Sequence, residues 1–123
     1  MNGINIQGPW SSLLINGQKT IETRSYPLPK KYRDVTLALI ETPGGKKFKS
    51  RIIGTITFSD SFKYDNETSW ASDYNRHYVR PDDIYGWNDK PKYGWIVKQI
   101  VKFDKPVEPP KKRGIVFSKD CIV

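Results

Sequence analysis

The sequence predicts a small, mostly β (α+β) domain of five or six short strands with one or two short helices. Three observations carry that expectation. Short runs of β-branched and apolar residues recur along the chain, proline and glycine punctuate them roughly every 8–12 residues, and helical periodicity is confined to brief stretches. At 123 residues the chain makes one domain with a single core, since domains commonly run to about 100–150 residues. Neither an internal repeat nor a coiled-coil heptad divides residues 1–123.

The elements follow in order. Ile4 to Gln7 alternates weakly and begins a strand. Gly8-Pro9 interrupts it, and Pro9 suits the first position of a helix, where its missing N–H costs nothing. Trp10, Leu13 and Leu14 fall at i, i+3 and i+4 and give that helix one apolar face. Asn16-Gly17 ends it, because glycine accepts the left-handed cap conformation. A two-turn helix is therefore expected from Pro9 to Asn16.

Thr20 to Ser25 reads as a strand, with Thr20, Glu22 and Arg24 on one face and Ile21 and Thr23 on the other. Lys19 falls in the turn before it, free to lean over either face. Pro27 and Pro29 exclude a central strand or helix, so residues 26–33 form an extended basic loop. Val35 to Ile40 is a short apolar run that suits a strand buried on both faces. Pro43-Gly44-Gly45 turns the chain into the basic run Lys46, Lys47, Lys49 and Arg51, and Ile52 to Phe58 is strand-like.

Residues from about 60 to 92 form a polar, aromatic and irregular insert, with one short helix around Ser69 to Arg76. Tyr93 to Phe103 returns to strand composition, with Trp95, Val97, Val101 and Phe103 on one face. Pro106, Pro109 and Pro110 break it. After the basic knot Lys111-Lys112-Arg113-Gly114, Ile115 to Ser118 forms a last strand. The sum is a small β barrel carrying helices at its mouth.

The formal charge is +8, which favours polyanionic partners. Residues 1–60 carry nine Lys/Arg against four Asp/Glu and residues 93–123 seven against three, whereas residues 61–92 carry five against six. A basic body thus surrounds a near-neutral insert that holds two Trp, four Tyr and the one histidine, His77. The single cysteine, Cys121, excludes an internal disulfide, so a reducing cytoplasm is the expected location. There is no run of about 18 apolar residues and no apolar leader, so no membrane partner is expected. One histidine and one cysteine do not make a zinc site, and no phosphate-binding glycine loop is present; neither metal nor cofactor is expected.

The densest chemistry lies in Gly17-Gln18-Lys19-Thr20-Ile21-Glu22-Thr23-Arg24, which sets a cation, a hydroxyl, a carboxylate and a guanidinium just after the helix. Together with that helix it reads Pro9-Trp10-x-x-Leu13-Leu14-x-x-Gly17-x-Lys19-Thr20-Ile21-Glu22-x-Arg24. This arrangement resembles the ASCH family of PUA-like domains. The strand ending in Gly54-Thr55-Ile56, the aromatic insert and the strand opened by Tyr93-Gly94-Trp95 are similar to that family too, so the resemblance spans nearly the whole chain.

The resemblance implies a PUA-like pseudo-barrel with a cleft beside the first helix, and an association with RNA, with modified nucleotides or nucleosides, or in some members with hydrolysis. One enzymatic branch removes the acyl group of N4-acetylcytidine with a lysine, a threonine three residues later and a downstream glutamate. Here Lys19 matches the lysine, Glu22 stands where that threonine would be, Thr20 offers a hydroxyl at a different spacing, and the downstream acid would be Glu67 or Asp73. If the protein is a hydrolase, acting on an N4-acylcytidine or, as a ribonuclease, on RNA itself, its catalytic residues are expected to be Lys19, Thr20 and Glu22.

The residues themselves favour binding over nucleophilic attack. A desolvated Lys19 would lose basicity and become a base or nucleophile, but an adjacent Glu22 opposes that by stabilising the ammonium. Glu22 suits an exocyclic amine, while Lys19 or Arg24 donates to a carbonyl or phosphate. An ordinary ion pair at the strand entrance would use the same residues. The candidate ligand-binding set is Trp10, Lys19, Glu22, Arg24, Trp70, Trp87 and Trp95, with Trp70 and Trp87 placed in the insert as stacking groups or a lid. Tyr64, Tyr74, Tyr78 and Tyr85 are further stacking candidates. Lys30, Lys31, Arg33, Lys46, Lys47, Lys111, Lys112 and Arg113 are the candidate phosphate contacts, although charged loops are commonly just solvated.

Overall fold

A computed structural model describes residues 1–44, 49–111, 114 and 116–123. Its elements are β1 (Gly3–Gln7), α1 (Trp10–Ile15), β2 (Ile21–Arg24), β3 (Thr36–Thr42), β4 (Arg51–Lys63), α2 (Glu67–Ser72), α3 (Tyr74–His77), β5 (Tyr93–Val107) and β6 (Phe117–Ser118). They make one six-stranded sheet in the order β2-β5-β4-β3-β1-β6. β1 runs parallel to β3 and the other pairings are antiparallel. The fold is the curled, mostly β half-barrel with short helices that the sequence pattern implies.

The long β4–β5 pair is the spine of the sheet. Its register shifts near Phe58 and between Ile52 and Gly54, and such bulges bend a strand and sharpen its twist. Curling buries Ile4, Ile6, Leu14, Leu37, Leu39, Ile56, Phe58 and Trp95 inside the sheet beneath α1. Gly54 lies where α1 and β5 close on β4. A Cβ there would fall 2.1 Å from the Val101 carbonyl oxygen and 2.6 Å from Ile15, so only glycine admits this approach.

Several elements differ from the sequence expectation. Residues 26–33 are not wholly extended: after Pro29 a single 3-10 turn forms at Lys30–Tyr32 and buries Tyr32. Prolines bar regular helix interiors, but not one turn begun beside them. β4 continues past Phe58 to Lys63, and the insert holds two helices rather than one. α2 starts at a capping box in which Asn66 accepts from the Ser69 N–H and the Ser69 hydroxyl accepts from the Asn66 N–H. β5 runs through Pro106 to Val107.

Val101 does not share the inner face with Trp95 and Val97, being 45% exposed. Val97 pairs with Phe58 and Gln99 with Thr57, so Lys98 is an extra residue that shifts the alternation, and Ile100 packs on the core instead. β6 is described from Phe117; the expected strand start at Ile115 lies outside the described residues, as do Gly45, Lys46, Lys47, Lys112 and Arg113. No helix among the described residues is long and apolar enough to cross a membrane.

Candidate functional site

The site grows from the end of α1. Gly17 takes φ +79°, and the Gln18 and Lys19 N–H groups both donate to the Leu13 carbonyl. That left-handed turn satisfies carbonyls that a helix end leaves open. It also turns the chain directly into β2, which pairs with β5 from Ile21–Ile96 to Arg24–Tyr93. β2 is a sheet edge, and its other side faces an opening toward β1. Across that opening an Arg24 terminal N–H donates to the Asn5 carbonyl at 3.2 Å.

At this seam lies a cleft of about 970 Å³, with Lys19, Glu22, Thr23, Arg24, Trp10 and Tyr85 among its walls. Glu22 is 7% exposed and Lys19 1%. Lys19 Nζ stands 3.3 Å from Glu22 Oε1, and Arg24 Nη2 stands 2.8 Å from Glu22 Oε2. Arg24 Nε donates to the same oxygen at 3.0 Å. Burial alone would raise the Glu22 pKa, but the charges of Lys19 and Arg24 outweigh it and hold the carboxyl below its ordinary range. Burial pushes the Lys19 pKa down, against the opposing pull of Glu22.

α3 clamps the same residues from behind. The carbonyls of Arg76, His77 and Tyr78 accept in turn from the Thr20 N–H, the Lys19 ammonium and the Trp10 indole N–H. Tyr78 takes φ +61° at the helix end, where carbonyls lack intrahelical partners. The clamp is itself braced: the Val79 N–H donates to His77 Nδ1 at 2.9 Å, which leaves Nε2 as the N–H facing the Trp70 carbonyl at 2.7 Å. The His77 ring stacks on Trp70 at 5.0 Å and 7°. With both nitrogens satisfied and no exposure, His77 holds the site rather than entering it.

Tyr85 closes one end. Its ring meets Trp10 edge-on at 5.5 Å, and its hydroxyl lies 3.2 Å from Gln7 Oε1.

No protein-family model matches the sequence, and no curated protein matches it. Solved structures do. The crystal structure of ASCH from Zymomonas mobilis matches at TM-score 0.66 and 17% identity, covering 87% of this chain and 72% of that one. Tyr-to-Phe and Ser-to-Ala variants of the same protein match at TM-scores 0.65 and 0.63, each at 17% identity. The chain has the ASCH fold.

Within that ASCH fold the expected site residues separate. Trp10, Lys19, Glu22 and Arg24 line one cleft. Lys19 does not lean freely from a turn, because it is buried and held on two sides. Thr20 is exposed and does not line the cleft; its backbone is used between Arg76 and Val97. Thr23 lines it instead, although the alternation put it on the face opposite Glu22. A free edge strand lets both faces border an opening. Of the alternative downstream acids, Asp73 is bound by Tyr64 and Arg76, and neither it nor Glu67 lines the cleft.

The other tryptophans are packing groups. Trp70 is fully buried with Tyr64 and Val79, Trp87 packs half-buried against that cluster, and neither lines the cleft or covers it as a lid. Trp95 is fully buried and its indole N–H donates to the Tyr26 carbonyl. Lys30 and Lys31 are exposed on the 3-10 turn, Arg33 pairs with Asp60, and Lys111 borders a separate depression beside Pro109 and Pro110. None of these four lines the cleft. Among the described residues the lysines that do, besides Lys19, are Lys90 and Lys92. Sequence reasoning missed them, and missed Asn5 and Gln7, because nothing in the pattern brings the insert and β1 to the same opening.

Proposed function

We propose that the protein binds RNA or a modified nucleotide or nucleoside, with the base held in the cleft between β1 and β2. One observation carries this reading: a buried carboxylate, Glu22, fixed between two cations at the wall of an open cleft bordered by Trp10 and Tyr85. An ammonium has three N–H donors and a carboxylate about four lone pairs. Lys19 uses donors on Glu22 and the His77 carbonyl, and Glu22 Oε1 accepts from Lys19 alone among the described residues. These contacts leave one Lys19 N–H and one Glu22 Oε1 lone pair uncommitted, a pairing that the adjacent acceptor and donor of a base edge would complement. Trp10 and Tyr85 supply apolar rings for its face.

Calorimetric titration of the chain with cytidine, guanosine, N4-acetylcytidine and a short single-stranded RNA tests this. Glu22→Gln and Lys19→Met should each weaken the bound member by about tenfold or more, as loss of a charge-assisted hydrogen bond predicts. Binding unaltered by both substitutions, or no binding across the panel, refutes the reading.

One observation favours hydrolysis as a second reading: burial depresses the Lys19 pKa, as a base or nucleophile requires. Of the hydroxyl residues in and around β2, Thr23, Ser25 and Tyr26 line the cleft with Lys19 and Thr20 does not. Incubation with N4-acetylcytidine, followed by mass spectrometry, tests this. Product that requires Lys19 supports hydrolysis, and binding without product counts against it.

A further inference from the structure

We propose that the cleft contains a phosphate subsite built by Lys90 and Lys92, so that its ligand is a nucleotide unit rather than a free nucleoside. The inference rests on the nucleotide-binding reading above and adds the group that anchors the ligand.

Among the described residues the cleft gathers four cations, Lys19, Arg24, Lys90 and Lys92, against one carboxylate, Glu22. Glu22 is already engaged by Lys19 and Arg24. Among the described residues no carboxylate lies within ion-pair distance of Lys90 or Lys92. The acids nearest in sequence do not neutralise the cleft: Asp83 accepts from the Tyr85 N–H, and neither it nor Asp89 lines the opening. Lys92 is half-buried, and its ammonium donates to the Tyr85 carbonyl at 3.3 Å. Burial, then the neighbouring charge of Lys90, lower its pKa. Lys90 is exposed near the half-buried Lys92 at the cleft wall; with no carboxylate in ion-pair reach among the described residues the two like charges repel each other, and a bound phosphate relieves that repulsion.

Placement supports the assignment. Tyr85 joins the lysines to the aromatic wall, since its carbonyl accepts from Lys92 while its ring meets Trp10 and its hydroxyl meets Gln7. A base against Trp10 and Tyr85 therefore carries its sugar and phosphate beside the segment that presents the two lysines. The exposed lysines on the 3-10 turn have no comparable relation to the cleft.

The test is calorimetry at low salt with cytidine and guanosine, their 3′- and 5′-monophosphates, and a single-stranded tetranucleotide. Wild type should bind a phosphorylated member at least about tenfold tighter than the matching nucleoside, as expected for a charge-assisted contact. In Lys90→Ala/Lys92→Ala, and to a lesser degree in Lys92→Gln, that ratio should fall toward one. A ratio seen with the monophosphates assigns the subsite to a terminal phosphate, and one seen only with the tetranucleotide assigns it to an RNA phosphodiester. The inference is overturned if phosphate gives no advantage, or if the advantage survives the double substitution. Glu22-dependent nucleoside binding with no phosphate advantage removes this inference alone, whereas absence of binding by every compound removes the nucleotide reading with it.

Discussion

Replacing Glu22 by Gln keeps the side-chain shape and removes the charge that Lys19 and Arg24 share. In the native site Lys19 is 1% exposed, with its ammonium 3.3 Å from the carboxylate. At that separation Coulomb attraction is worth about 5 kcal/mol at an effective dielectric of about 20. Breaking one side of a buried pair generally costs about 3–5 kcal/mol, because the remaining charge stays buried without its counter-charge. Glu22→Gln should therefore lower the unfolding free energy by about 3 kcal/mol or more, a large share of the roughly 5–15 kcal/mol that holds a domain together. Urea unfolding followed by tryptophan fluorescence measures this. Adding Lys19→Met should restore part of the loss, since no buried ammonium then remains.

The pH dependence gives an independent check. Glu22 has a folded pKa below its unfolded value, so its stabilisation is complete above about pH 4.3 and is lost as pH falls through the folded value. Glu22→Gln should remove that acid-limb component. A loss below about 1 kcal/mol, with an unaltered acid limb, would refute the reasoning that the site is a buried ion-pair cluster.

Three further outcomes are expected. The folded pKa of Lys19 is depressed, so the unfolded chain holds the extra proton between that value and about 10.4; stability should rise with pH across that window, and Lys19→Met should flatten it. Burial also lowers the His77 pKa, and a protonated ring would set an N–H against the Val79 N–H; stability should fall below about pH 6.5 by up to about 1.4 kcal/mol per pH unit, a slope that His77→Gln should abolish. Gly54→Ala should destabilise the fold by about 3 kcal/mol or more, since its Cβ meets the Val101 backbone oxygen rather than a side chain that can move; a thermal melt within a few degrees of wild type would show that β4 and β5 are not so closely apposed.

The local parts of the site were legible because local signals govern them. Trp10, Leu14 and Gly17 specify a short helix with a left-handed exit, and that exit carries Lys19, Glu22 and Arg24 to the free edge of β2. Strand composition likewise located β3, β4 and β5. What failed was alternation across irregularities: the extra residue at Lys98 turned Val101 outward, and alternation gave no sign that both faces of the edge strand would border the cleft, which brings Thr23 to it beside Glu22. Aromatic composition misled in the insert, where Trp70 is a core residue and Tyr85 the one that reaches the cleft. Composition reports that a segment has rings to bury, and only tertiary packing decides which of them stay at the surface.

The insert's main contribution to the site had no compositional signal at all. It acts through the carbonyls of Arg76, His77 and Tyr78, and a backbone carbonyl leaves no mark on residue type. Those three acceptors serve a backbone N–H and an ammonium from the helix exit and an indole N–H from the first residue of α1, so the position of Lys19 depends on α3 as directly as on Glu22. The order of the insert and the geometry of the cleft are consequently one property. The His77 ring, closed between the Trp70 carbonyl and the Val79 N–H, keeps α3 in register with β2 and thereby holds the Lys19 amine at the cleft wall.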